Sequence, residues 1–177
     1  MSPMFSDCEN VSSRRKNRIF AVQFMYAWSI NRNERLLTVG DIIDEFGEIY
    51  FGDGIGQYAF GKELSVGTVE NVDIIDELIK EHVTHWALDR IAIVDLAILR
   101  VATYEMVFRT DIPPIVAMNE AIDIGKMLST GESWKFLNGV LDGIKKKLTR
   151  PLRESGTPRR QSNEMQSCPC PDAEPAA

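Results

Sequence analysis

The chain has 177 residues, 44% of them hydrophobic, and a formal net charge of −6, which suits one soluble domain around a single core. No apolar run reaches the ~18–20 residues of a membrane span, and residues 1–10 lack the charged and apolar regions of a signal peptide. The three cysteines, Cys8, Cys168 and Cys170, all fall outside the predicted core, so no disulfide framework supports the fold and the cytoplasm is the expected compartment.

The first predicted helix spans Ser13 to Asn31. Its start holds Arg14, Arg15, Lys16 and Arg18, fused without Gly or Pro to the apolar run Ile19–Trp28. Residues 145–160 carry seven Lys or Arg and one Glu, so the remainder of the chain holds about −16. The C-terminal block reads as a solubility feature. A cationic helix start on an acidic body instead points to a phosphate-rich partner. At 100° per residue Phe20, Ala21, Phe24 and Trp28 share a core-facing sector, and Arg15, Lys16, Gln23 and Tyr26 share roughly the opposite one. That second face offers cations for phosphate, an amide for hydrogen bonds and a ring for stacking.

A short helix is expected over Thr38–Phe46. The glycine-rich stretch from Gly47 to Gly61 then reads as a loop. Within it, Gly54-Ile55-Gly56 superficially matches a dinucleotide fingerprint, but no strand precedes it and the chain has no βαβ rhythm. Tyr58–Val69 and Asn71–His82 are helical patterns, abutting or continuous. His82 and His85 lack a third ligand and read as rim residues. Ile91–Arg109 is apolar on nearly every face, as expected of a helix surrounded by others. Asp111-Ile112-Pro113-Pro114 separates it from a helix over Pro114–Leu128, predicted to bury Val116, Ala121, Ile124 and Leu128; proline is tolerated in a first turn. The last helix, Glu132–Leu148, buries Leu137, Leu141, Ile144 and Leu148. Gly139 and Gly143 in it cost ~1 kcal/mol each relative to Ala, which close helix packing would offset. Residues 1–12 and 149–177 are expected to be disordered, the latter rich in Pro, Ser and Arg. Cys168-Pro169-Cys170 on that tail lacks the ligand set of a metal site.

Several separated motifs, in order, resemble the bacterial transcription antitermination factor NusB family. They are Arg14-Arg15-Lys16-Asn17-Arg18 with Ala21-Val22-Gln23-Phe24-Met25-Tyr26; Trp86-Ala87-Leu88-Asp89-Arg90-Ile91 leading to Val94-Asp95-Leu96-Ala97-Ile98-Leu99-Arg100; Tyr104-Glu105-Met106; Asp111-Ile112-Pro113; Val116–Ile122; and Lys135-Phe136-Leu137-Asn138-Gly139-Val140-Leu141-Asp142. The likeness covers roughly residues 13–148. It implies an all-α domain of about seven helices in two small antiparallel bundles, with no catalysis, cofactor or metal. It further implies binding to boxA-type single-stranded RNA of ribosomal RNA leaders, pairing with the small-subunit ribosomal protein that acts as NusE, and read-through by the RNA polymerase elongation complex. On this resemblance the RNA surface takes in Arg14, Arg15, Lys16, Arg18, Gln23, Tyr26, Glu132, Lys135 and Phe136, and the protein-partner surface centres on Asp89 and Asp95. The chain departs from the family at Leu96, where Arg or Lys is usual, at the doubled Pro114, at Trp134, which replaces a smaller or polar residue, and in the cysteine-containing tail.

Two other readings compete. One is a protein-only helical scaffold whose basic helix binds an acidic partner. The other is an RNA-modifying enzyme, since a similar module precedes methyltransferase domains; the chain stops before any such domain. Paired carboxylates such as Asp41 and Asp44, or Asp73 and Glu77, read as solvated helix faces.

Overall fold

Helical periodicity is realised as seven α-helices in a computed structural model that describes residues 12–30, 39–51, 57–83 and 88–148. They are α1 (Ser13–Ile30), α2 (Val39–Phe51), α3 (Ala59–Glu70), α4 (Val72–Lys80), α5 (Ile93–Phe108), α6 (Pro114–Leu128) and α7 (Ser133–Lys147). A short 3-10 turn, Leu88–Arg90, precedes α5. No strand occurs among the described residues, and no helix among them is long and apolar enough to cross a membrane. The Gly54–Gly56 stretch, His85, all three cysteines and both terminal segments lie outside the described residues.

Most elements follow the apolar pattern closely. The chief difference is α2, which runs through Gly47 to Phe51 instead of ending at Phe46. The Phe46 and Tyr50 rings, one turn apart, lie 4.7 Å centroid to centroid. Phe46 also meets Phe20 and Phe24 edge-on. Such i,i+4 and tertiary aromatic contacts carry the helix past a glycine that propensity alone would make a stop. Helices α3 and α4 are separate, divided at Asn71, whose side chain donates back to the Gly67 carbonyl at 2.8 Å.

Helix α5 is the hub, packing on α1, α3, α4, α6 and α7. Helices α2 and α3 group with α1, while α4, α6 and α7 group with α5, and one continuous core runs through both groups. Phe20, Phe24, Leu64, Ile98, Leu99, Met106 and Leu137 are among its fully buried side chains. On α6 the core stripe is Ala117, Met118, Ala121 and Ile124; Val116, expected inside, is exposed. The α6 rotation that places Ala117 and Met118 inward turns Val116 to solvent.

Glycines set four close approaches, one of them at Gly125, where a Cβ would come within 2.4 Å of the Leu137 side chain. A Cβ on Gly61 would come within 2.7 Å of the Asn17 carbonyl, one on Gly67 within 2.1 Å of the Tyr104 ring, and one on Gly143 within 2.5 Å of the His82 ring. Gly139 differs: nothing lies within 4 Å of its would-be Cβ. The expectation of close packing therefore holds for Gly143 and fails for Gly139, which faces outward.

Candidate nucleic-acid interface

Four cations open α1, and the fold gives them different environments. A helix turns 100° per residue, so Arg14, Arg15, Lys16 and Arg18 cannot share one direction. Arg14 is exposed, and its guanidinium lies 5.4 Å from the Phe60 ring centroid. Lys16 is half-buried, with no carboxylate bonded to it among the described residues. Arg15 reaches across to α6. Its Nε donates to Glu120 at 2.8 Å, and its Nη2 donates to Glu120 and Asp123, both at 2.8 Å.

Arg18 corrects the expectation of an outward basic cluster. It is only 5% exposed and forks onto Glu105 of α5, itself 1% exposed, through Nε at 2.9 Å and Nη2 at 2.9 Å. Placed one turn after Arg14 on the inward side, the side chain meets a carboxylate that the core supplies. A planar guanidinium matched to a carboxylate is the arrangement in which a buried charge pair is best satisfied. Burial still pushes the Glu105 carboxyl above its ordinary range, against the opposing pull of Arg18. Glu120 shifts the other way: the Arg15 hydrogen bond holds it below the usual carboxylate range.

Asn17 has a structural role that a basic-motif reading overlooks. Its Oδ1 accepts from the Gly61 N–H at 2.8 Å, and its Nδ2 donates to the carbonyls of Ser13 and Gln57. Gly61 is the third residue of α3, so a side chain from α1 caps the start of α3. At the far end of α1, Arg100 clamps three helices, with a two-pronged bond to Asp76 at 2.8 Å and a third bond to the Ser29 hydroxyl at 2.9 Å.

Gln23 is half-buried and Tyr26 is 43% exposed, on the flank of α1 that carries Lys16. At the α6–α7 turn, Gly131 adopts φ +53°, the left-handed region that favours glycine. Glu132 and Lys135 are exposed and paired with each other. Phe136 is half-buried and packed against the core, so its ring is not freely presented. Trp134 stands in contrast. It is half-buried but is not packed against the core cluster, and the ammonium groups of Lys126 and Lys135 lie 5.6 and 5.7 Å from its ring centroid.

These contacts join into one strip. Arg15 bonds Asp123, Asp123 pairs with Lys126 at 3.5 Å, Lys126 lies over Trp134, and Lys135 closes the path to Glu132. The starts of α1 and α7, far apart in sequence, thus share a surface bridged by α6. Sequence reasoning missed Glu105, Glu120 and Asp123 as internal counterions, and it noted Trp134 only as an anomaly. For Glu105 the available signal was a carboxylate in a helix apolar on nearly every face, since a buried carboxylate needs a cation; Glu120 and Asp123, only partly buried, gave no such signal.

The expected protein-partner residues behave differently. Asp89 lies in the 3-10 turn before α5, and its side chain is outside what the structure describes. Asp95 sits in the first turn of α5 and is 5% exposed rather than open to solvent, and its Oδ1 has no hydrogen-bond partner among the described residues. No group of three or more metal-ligating side chains occurs among the described residues.

Comparison with known proteins follows the same boundaries. The profile of the NusB family matches residues 15–146. The transcription antitermination protein NusB of Thermodesulfovibrio yellowstonii is 38% identical over 138 residues, covering 75% of this chain and 91% of the relative. That of Treponema denticola is 37% identical over 140 residues, covering 76% and 96%. Among solved structures, T. maritima NusB superposes with a TM-score of 0.65 at 34% identity, covering 76% of this chain and 91% of that one. A crystal structure of antitermination factors NusB and NusE in complex with dsRNA superposes with a TM-score of 0.64 at 26% identity, covering 76% and 96%. With one helical core, the same order of motifs and a profile match across nearly all described residues, the chain belongs to the NusB family of transcription antitermination proteins.

Proposed function

We propose that this chain is a non-catalytic RNA-binding adaptor. It holds boxA-type single-stranded RNA of ribosomal RNA leaders, pairs with the ribosomal protein that acts as NusE, and promotes read-through by RNA polymerase. The observation that carries this reading is the continuous strip from the start of α1 over α6 to the first turn of α7. There Lys16, Lys126 and Lys135 can meet phosphates, while Gln23 and the Tyr26 and Trp134 rings can meet bases; Arg14, exposed over Phe60 on the α3 side of α1, adds a cation at the helix start. Cations position a nucleic-acid backbone, and base edges and stacking supply the discrimination. Arg15 and Arg18 serve mainly as anchors that hold α1 against α6 and α5. Phe136 supports the first turn of α7 from beneath.

Asp95 supports the partner half of the reading. Its Oδ1 is buried with no donor among the described residues; an unsatisfied buried carboxylate oxygen is costly, and a basic partner supplying an N–H at the entry to α5 would satisfy it. A related structure holding NusB, NusE and RNA together is consistent with both ligands binding at once. Two ligands that share and shield one acidic body should couple positively, by roughly 5- to 150-fold in affinity. The test is to titrate boxA-like and scrambled RNA against the full chain, with and without the NusE-type partner. Salt-dependent binding, preference for the boxA-like strand and tightening by the partner are expected. Equal affinity for both strands under all conditions refutes the adaptor reading.

A further inference from the structure

We infer that Trp134 is a base-stacking residue, a subsite for one unpaired nucleobase between two phosphate-binding lysines; this rests on the RNA-binding reading above. The inference starts from where the ring sits. The core stripe of α7 is Leu137, Val140, Leu141 and Ile144, and one turn earlier the stripe reaches Trp134 at the molecule's rim. A rim tryptophan ordinarily packs its apolar face inward, as Phe136 does. Trp134 does not join the core cluster, and the described partners of its ring are the ammonium groups of Lys126 and Lys135.

Both lysines are about half exposed, and their carboxylate partners, Asp123 and Glu132, are also open to solvent. Exposed ion pairs and exposed cation–π contacts are weak and readily exchanged. A nucleobase has a flat π-face of its own, and its stacking on an aromatic ring outweighs an exposed ammonium in that position. The displaced ammonium then remains within reach of the phosphates flanking the stacked base. The subsite is continuous, through Asp123, with the Arg15 end of α1. An RNA strand crossing from α1 to α7 would therefore pass over it. Because stacking is tolerant of base identity, Trp134 should add affinity more than sequence preference.

The test uses the full chain, tryptophan fluorescence and three substitutions: Trp134→Phe, Trp134→Leu and Trp134→Ala. Wild-type fluorescence should be quenched on adding boxA-like RNA, and most of that quenching should vanish in all three variants, leaving only what Trp28 and Trp86 contribute. Trp134→Phe keeps a π-face and should bind within about threefold of wild type. Trp134→Leu keeps apolar bulk without one and should bind about five- to a hundredfold more weakly. Trp134→Ala should match Trp134→Leu; if it unfolds, the Leu and Phe pair still decides the matter. Undiminished RNA affinity in a folded Trp134→Leu protein overturns the stacking assignment while leaving the adaptor reading intact. So does a loss confined to binding of the protein partner. Failure of the wild-type chain to bind RNA at all overturns the adaptor reading itself.

Discussion

Residues of one chemical type play opposed roles here, and Glu120 and Glu105 show it best. Both face arginines of α1, yet their carboxyls shift in opposite directions. Glu120, hydrogen-bonded by Arg15 near the surface, is depressed; Glu105, deep against Arg18, is raised by desolvation. A depressed carboxyl stabilises the fold fully above its unfolded value, and that contribution is lost as pH falls through the lower folded value. A raised one has the opposite sign, because ionising it costs more in the folded state. Glu120→Gln should therefore lower stability at pH 7 by about 1 kcal/mol, the scale of a partly exposed charged hydrogen bond. The gap to wild type should close as the pH is taken below about 4.5. Denaturant midpoints from pH 7 to pH 3 check this; a constant gap would mean that Arg15 is not the source. None of this pairing could be read from the chain. The sequence shows four cations in five residues, but which of them a distant carboxylate neutralises depends on how α5 and α6 cross α1.

Helices were the most legible scale, and the misses there have identifiable causes. The start and end of α6 agree with the proline pair and Leu128, because proline fixes a first turn locally. The extent of α2 was misjudged because its C-terminal half is held by aromatic contacts across the core rather than by propensity. Val116 was misplaced because apolar spacing fixes a stripe only to within one residue on either side. The glycines divide along the same line between local and tertiary causes. Gly67→Ala should destabilise by roughly 1–3 kcal/mol, since the rigid Tyr104 ring occupies the space a methyl needs. Gly139→Ala should stabilise by about 0.5–1 kcal/mol, since open space receives the methyl and the helix gains propensity. Urea unfolding of the two variants gives the signs directly; a destabilised Gly139→Ala would reveal packing that the structure does not contain.

For the whole molecule, the distribution of charge governs association. The chain is acidic overall, and only part of its basic N-terminal cluster is left without an ion pair among the described residues. Counterion release scales with the number of phosphates that Lys and Arg neutralise, and a cation already paired with carboxylates neutralises little. Arg14→Ala and Lys16→Ala should thus each reduce the log–log salt slope of single-strand binding by ~0.7. Arg15→Ala should leave the slope nearly unchanged, because Glu120 and Asp123 already serve as its counterions. Affinities measured between low and moderate salt separate the three; equal losses of slope would return Arg15 to the exposed set. The motif led to the expectation of a basic and aromatic face on α1, and the proposed continuation across α6 to Trp134 depends on contacts that exist only once the helices are folded together. The Asn17 bond to the start of α3 carries one more consequence. It acts as a detent against rolling of α1 about its own axis, so the direction in which Lys16, Gln23 and Tyr26 face is set before any ligand arrives. A strand that binds there meets a surface whose rotational entropy was already surrendered during folding, and little of its interaction energy is lost in arranging the protein.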